Sequence, residues 1–214
     1  MDNMSNTRFI ALYHHLIKQY SANSTFREME VASVLLIYYK FVLANGPLAR
    51  KMQKQQLYNL FLVLFDINDR LITERILLTI TTDAKYIDPL AWLNLLEIFM
   101  STDLRVRMKF AFSVYNASGS GYLNRELIIQ KVERFFDGQD EDEINELRSD
   151  MVDFLFLKFD LDKDGQISFD EYAEVVSKQP ALLEFLGQCL PTNSGNFLIA
   201  HCANIYSFID RLEI

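Results

Sequence analysis

The stretch Asp160 to Glu171, which reads D-L-D-K-D-G-Q-I-S-F-D-E, dictates how the chain around it must be built. It sets oxygen donors at positions 1, 3, 5, 7, 9 and 12 of a twelve-residue loop, the spacing that wraps a calcium ion. Asp160, Asp162 and Asp164 supply carboxylates from alternate positions, and Glu171 adds two more oxygens. Gln166 contributes its backbone carbonyl, while Ser168 at position 9 works through a bound water. Gly165 permits the sharp turn between them because it has no Cβ. Ile167 at position 8 is expected to pair, as a short β-bridge, with the matching residue of a partner loop. Ser168 and Glu171 also form an S-x-x-E capping box for the helix that leaves the loop. An acidic surface turn has no reason to satisfy all of these positions at once.

Such a loop needs a helix on each side, and the composition supplies them. Of 214 residues, 50 % are hydrophobic and 13 % aromatic, including 17 Phe, against only 7 Gly and 4 Pro. This describes a compact, mostly helical chain with few turns. A net charge of −8 argues against nucleic acid or anionic lipid as the main partner. Cys189 and Cys202 give no disulfide framework, so a reducing, cytoplasmic setting is expected. The start, M-D-N-M-S-N-T-R, lacks the apolar core of a secretory signal. Asp2 stands where N-myristoylation requires glycine, and no other membrane anchor is visible. The longest apolar run, Val31 to Leu43, contains Lys40 and is too short to span a bilayer.

Along the chain, residues 7–20 carry apolar side chains at helical spacing. His14 and His15, about 100° apart on that helix, cannot chelate one ion together. Thr25 and Glu28 read as a capping box for a second helix that stops at Asn45-Gly46-Pro47. A third helix, Lys54 to Phe65, leads to Asp66-Ile67-Asn68-Asp69, which resembles half a calcium loop. Arg70 to Thr79 reads as helix, and Asp88-Pro89 opens the next. Placing Asp88 at position 9 defines a loop from 80 to 91 whose ligand positions, Ile80, Thr82, Ala84 and Ala91, hold almost no oxygens. A better preserved loop runs from 116 to 127, with Asn116, Ser118, Ser120, Gly121 and Asn124 in ligand and turn positions. Leu127 replaces its terminal Glu, which leaves too little negative charge to offset calcium dehydration.

The loop starts at 80, 116 and 160 recur as a repeated unit should. Residues 137–150 form an acidic insert that reads as a linker and the start of a helix. After Gln179-Pro180 comes a short amphipathic segment, 181–186, and a tail in which His201-Cys202 is no zinc site by itself. The fold class expected is all-α, with two lobes of paired helix–loop–helix hands and short β-bridges between loops. Residues 1–100 form an N-terminal lobe, 101–178 a second pair of hands, and 179–214 a C-terminal helix and tail.

The arrangement resembles the EF-hand superfamily, and its details resemble the calaxin family. Three stretches carry this: Ala91-Trp92 after the second hand, K-F-A-F-S-V-Y-N before the third, and L-L-E-F-L-G-Q-C-L-P after the fourth. The resemblance implies a calcium-responsive component of the outer dynein arm and its docking complex in ciliary or flagellar axonemes. It also implies three working loops, whereas this sequence supports one site, filled by calcium or by magnesium in its place.

The function expected is therefore a non-enzymatic adaptor with protein partners. The alternative is a sensor subunit of a channel or phosphatase, of the neuronal-calcium-sensor or calcineurin-B type, and another is a permanent structural clamp. No nucleophile–base pair, phosphate loop or convergent His cluster points to catalysis. A groove lined by residues drawn from Phe110, Phe112, Phe135, Phe136, Phe154, Phe159, Phe169 and Tyr172 is expected, with segment 181–190 able to lie in it.

Overall fold

The computed structural model describes residues 3–191 apart from 117, 118, 137 and 139, and side chains from residue 7 onward apart from those of 63 and 64. Ser118, His201 and Cys202 therefore lie outside the described residues, as does any pairing of Cys202 with Cys189.

The described chain is all-α apart from short bridges. An N-terminal helix α1 (Asn3–Ser21) precedes four helix–loop–helix hands. The first is α2 (Glu28–Ala44), β1 (Met52–Gln53) and α3 (Lys54–Leu64), and the second is α4 (Arg70–Ile80), β2 (Tyr86–Ile87) and α5 (Pro89–Met100). The third is α6 (Leu104–Tyr115), β3 (Tyr122–Asn124) and α7 (Arg125–Val132). The fourth is α8 (Glu141–Phe159), β4 (Gln166–Ser168) and α9 (Phe169–Lys178). The bridges pair the hands in antiparallel register, Met52 opposite Ile87 and Leu123 opposite Ile167.

One local rule repeats in all four hands. The residue at loop position 8, Met52, Ile87, Leu123 or Ile167, is fully buried. The residue after it, Gln53, Asp88, Asn124 or Ser168, is the N-cap of the exiting helix. An apolar position 8 pulls the bridge into the core, and at Asp88, Asn124 and Ser168 the cap side chain accepts from a free amide of the helix that follows. Neither job needs an ion.

The front pair of hands is locked by side-chain hydrogen bonds. Trp92 Nε1 donates to the Val34 carbonyl at 2.9 Å, fixing α5 against α2. Glu97 on α5 accepts from Tyr20 Oη at 2.7 Å, Ser24 Oγ at 2.9 Å and the backbone and hydroxyl of Thr25 at 2.8 and 2.9 Å. Burial pushes the Glu97 carboxyl upward, but these donors outweigh it and hold it below its ordinary value. Thr25, expected as a cap, is thus drawn to Glu97 instead. Helix α2 starts at Glu28, with Glu30 accepting from the Arg27 amide at 2.8 Å.

The apolar interior is continuous from front to back. Phe65 and Phe99 meet edge to face at 5.0 Å between centroids, and Phe99 meets Phe110 of α6 at 5.7 Å. The half-loop expected at Asp66–Asp69 is a linker: Asp66 takes a left-handed φ of 56° and Asp69 caps α4 through Leu71 N at 2.8 Å. Asp69 also pairs with Arg134, just beyond the end of α7, at 2.9 Å, tying the two hand pairs together.

Of the C-terminal helix and tail expected over residues 179–214, the described part is a single 3-10 turn, Pro180–Leu182, followed by turns to residue 191. Gly187, at a φ of 114°, turns the chain where an L-residue would be strained. Its backbone runs beside Ile72 of α4, 3.6 Å from where a Cβ would stand.

Candidate metal centre

The loop between α8 and β4 gathers the side chains of Asp160, Asp162 and Asp164. One carboxylate oxygen from each lies within 4.8 Å of the others. Backbone amides hold them there. Asp160 accepts from Asp164 N at 3.1 Å and Gly165 N at 3.0 Å, Asp162 from Asp164 N at 3.1 Å, and Asp164 from Gln166 N at 2.8 Å. The chain can aim so many amides inward because Lys163 and Gly165 both take left-handed φ values, 62° and 84°. Each carboxylate oxygen has two lone pairs, so these bonds leave acceptor capacity for a hard cation.

Glu171 stands outside that three-carboxylate cluster and closes the loop from its exit side. Its Oε1 accepts from Leu161 N at 2.8 Å and Asp162 N at 3.3 Å, and its Oε2 from Ser168 N at 2.8 Å and Ser168 Oγ at 2.7 Å. Partial burial pushes the carboxyl upward, yet these four donors win and hold it below the usual glutamate value. The capping box expected at Ser168 and Glu171 is present. Gln166 lies in β4 opposite Asn124. The donor set fits a hard divalent cation: four carboxylates, a hydroxyl and a nearby backbone carbonyl, with no soft ligand among them.

The third loop has the same backbone but different chemistry. Gly119 and Gly121, at positions 4 and 6, take left-handed φ values of 69° and 90°, matching Lys163 and Gly165. In place of a carboxylate cage, Ser120 Oγ lies 3.1 Å from Asn116 Oδ1 and 2.8 Å from the Tyr122 carbonyl. Leu127 is half-buried where Glu171 has its counterpart, and Glu126 points to solvent. The form of the cage survives here without its charge.

The two front loops have lost the form as well. Residues 80–91 contain no left-handed residue. Asp83 there accepts from Lys85 N at 2.8 Å and Tyr86 N at 2.9 Å, an Asx turn rather than a ligand arrangement. The remaining loop, 45–56, is one that sequence reasoning missed, because Asn45-Gly46-Pro47 reads as a plain stop. Its position 12 is Gln56, whose Oε1 accepts from Asn45 Nδ2 at 2.8 Å and Gln53 N at 2.9 Å. Its Nε2 donates to the Phe41 carbonyl at 2.9 Å. One amide side chain therefore joins positions 1, 9 and 12, which a bound ion joins in a working loop. The usable signal was the spacing of position-8 residues, since Met52 precedes Ile87 by the interval that separates Ile87 from Leu123 to within one residue.

The apolar groove of the back pair is filled by the chain itself. The Phe185 ring packs on Phe159 at 4.3 Å, Tyr115 at 5.6 Å and Tyr172 at 5.8 Å. Tyr172 Oη donates to the Leu183 carbonyl at 2.6 Å, and Tyr115 Oη to that of Gly187 at 2.7 Å. Glu184 turns back to accept from Cys189 N and Leu190 N, both at 2.7 Å. Of the expected groove residues, Phe110, Phe112, Phe159 and Tyr172 are buried and Phe136 and Phe169 are half-buried. Phe135 and Phe154 face solvent. His14 and His15 are exposed.

Residues 105–177 match the family model for an EF-hand domain pair. Calaxin of Danio rerio is 32 % identical over 129 residues, which cover 59 % of this chain and 61 % of that protein. Calaxin of Homo sapiens is 27 % identical over 170 residues, 78 % of this chain and 81 % of that protein. Guanylyl cyclase-activating protein 1 of Lithobates pipiens is 30 % identical over 107 residues, 49 % of this chain and 51 % of its own. With two bridged pairs of hands and the cage of aspartates in the fourth, the chain has the all-α EF-hand fold and is similar to the calaxins.

Proposed function

We propose that the chain is a non-enzymatic, calcium-responsive adaptor with a single ion site, working in a ciliary or flagellar axoneme as a partner of the outer dynein arm and its docking complex. The observation that carries this reading is the contrast between the cage at Asp160, Asp162 and Asp164 and the other three loops, which show none among the described residues. The similarity to calaxins supports the setting. Among the described residues no helix is long and apolar enough to cross a membrane, which suits an adaptor that docks on other proteins.

Asp160, Asp162, Asp164 and Glu171 would hold the ion, with the Gln166 carbonyl and Ser168 completing the set. A divalent cation supplies the charge that lets these carboxylates lie together without mutual repulsion. The residues of the chain then carry the signal. Ile167 and Leu123 link the fourth loop to the third, so α7 and α9 respond together. Phe159 and Tyr172 flank the loop and hold Phe185, so a change in the angle between α8 and α9 bears directly on segment 183–190. Any partner entering this groove must displace that segment, and calcium sets how firmly it is held.

The expected titration is one calcium per chain, with a dissociation constant on the order of 10⁻⁷ to 10⁻⁵ M, lost in Glu171→Gln. Two or three equivalents would defeat the one-site reading. Capture from ciliated or sperm tissue, with and without chelator, should recover dynein-arm components in a calcium-dependent manner. Recovery of a channel, cyclase or phosphatase would favour the second reading, a regulatory sensor subunit, for which the likeness to guanylyl cyclase-activating protein 1 speaks.

A further inference from the structure

Helix α8 has two apolar faces and only one is used. Val152, Leu155, Phe156 and Phe159 are buried in the core. On the opposite side, Leu147, Phe154, Leu157 and Leu161 are 44, 53, 83 and 47 % exposed. Their spacing of seven, three and four residues puts them on one strip of the helix and the first turn of the loop beyond it. A helix apolar on both sides is expected where both sides are covered.

The N-terminal half of the same strip is acidic, with Lys158 at its far end beside Leu157. Glu143, Glu146 and Asp150 are exposed within about 100° of the leucines, and among the described residues they take part in no ion pair. The neighbouring arginines are committed elsewhere. Arg148 donates to the carbonyls of Glu133 and Phe136, at 2.8 and 3.0 Å, and Arg125 of α7 pairs with Asp153. We propose that this outer strip of α8 docks an amphipathic helix of a protein partner whose leucine-like face is edged by Lys or Arg.

Charge selects this occupant over the two others at hand. Residues 192–214 are rich in apolar side chains but carry one basic residue, Arg211, against Asp210 and Glu213, so they leave the three carboxylates unmatched. A second copy would offer only one lysine, Lys158, against the three carboxylates and would leave most of their charge unmatched. The inner groove, where a sensor of this architecture would take such a helix, is occupied by Phe185 and its neighbours. The inference concerns an outer surface and stands whether or not the fourth loop holds an ion.

The test uses the full chain and a labelled eighteen-residue helical peptide of Leu and Lys, with a Leu and Glu peptide as its counterpart, in calcium and in chelator. The Leu and Lys peptide should bind at least about tenfold more tightly in both conditions. Leu157→Ser and Phe154→Ser should each weaken it by about five- to tenfold, and the triple change Glu143→Lys, Glu146→Lys, Asp150→Lys by more. Leu78→Ser, at an exposed position on α4, should have no effect. Unchanged thermal unfolding would show that the variants remain folded. Equal binding of both peptides, or indifference to the α8 variants, would overturn the proposal. So would cross-links from positions 154 and 157 to residues 192–214 in the free chain, or a dimer abolished by Leu157→Ser.

Discussion

The hydroxyl of Tyr38 donates to the carbonyl of Ile87 at 2.7 Å, reaching from the entering helix of the first hand to the bridge of the second. The same oxygen accepts from Met52 N at 3.2 Å, so one buried phenol holds both strands of the front bridge. Tyr38→Phe keeps the ring and leaves a buried carbonyl and a buried amide each short of a partner. The expected loss is about 1–3 kcal/mol in urea unfolding, equal with and without calcium. A loss seen only in chelator would mean that the front bridge is coupled to the ion.

The third loop should be convertible into a site. Its left-handed residues at 119 and 121 already match those of the fourth loop, so the difference between the two lies in charge. Asn116→Asp, Ser118→Asp, Ser120→Asp and Leu127→Glu together should raise the calcium count from one to two by calorimetry. The equivalent set in residues 80–91, Ile80→Asp, Thr82→Asp, Ala84→Asp and Ala91→Glu, should leave it unchanged, because the backbone there has no left-handed turn and Ala91 is buried. If both sets create sites, side-chain charge alone governs binding.

Segment 183–190 should prove replaceable in two separable ways. Phe185→Ala removes a half-buried ring from Phe159, Tyr115 and Tyr172, at a cost of about 2–3 kcal/mol, with a rise in the binding of an apolar dye. Gly187→Ala meets Ile72 only at ordinary contact distance, so its cost is that of forcing an L-residue to a φ of 114°, about 1–2 kcal/mol. Replacing Gly187 with a D-alanine by semisynthesis, whose φ preference is the mirror image, should recover most of that loss.

Lys131 gives a test by pH. It is 4 % exposed on α7. Burial, with Arg75 and Arg134 nearby, pushes its ammonium from 10.5 down to about 8, while Asp69 and Cys189 pull the other way. Between those values the unfolded chain binds the extra proton, so the cost of this group is full below about pH 8 and is relieved as the pH rises. Cys189 and Tyr115, both held above their ordinary values chiefly by burial, work in the opposite direction as the unfolded chain loses those protons first. The difference between wild type and Lys131→Met isolates the lysine. The variant should be more stable at pH 7 by on the order of 1–3 kcal/mol, with the gap closing towards pH 10.5. A gap that stays constant with pH would show that Lys131 titrates normally in the fold.

The fourth loop was legible in the sequence because every position states its own chemistry, down to the serine that starts α9. The third was legible through its glycines and its buried Leu123. The first was not, since Asn45, Pro47, Ala49 and Gln56 carry no negative charge and Asn-Gly-Pro is also how ordinary helices end. Thr25 was misread for a different reason: its cap geometry is sound locally, but Glu97, more than seventy residues later, offers a stronger acceptor. Just beyond Pro180 the described chain turns rather than continuing as helix, because Tyr115 and Tyr172 take the Gly187 and Leu183 carbonyls that a helix would use internally.

A carboxamide cannot be stripped out by EDTA. Since Gln56 fastens the leading loop with covalently attached atoms, emptying the medium of metal would slacken only the trailing end of the molecule. Trp92, the lone indole, sits beside the fastened end, so its emission would report a quiet half while the other half moves, and the chain would behave as a hinge with one leaf screwed to the frame.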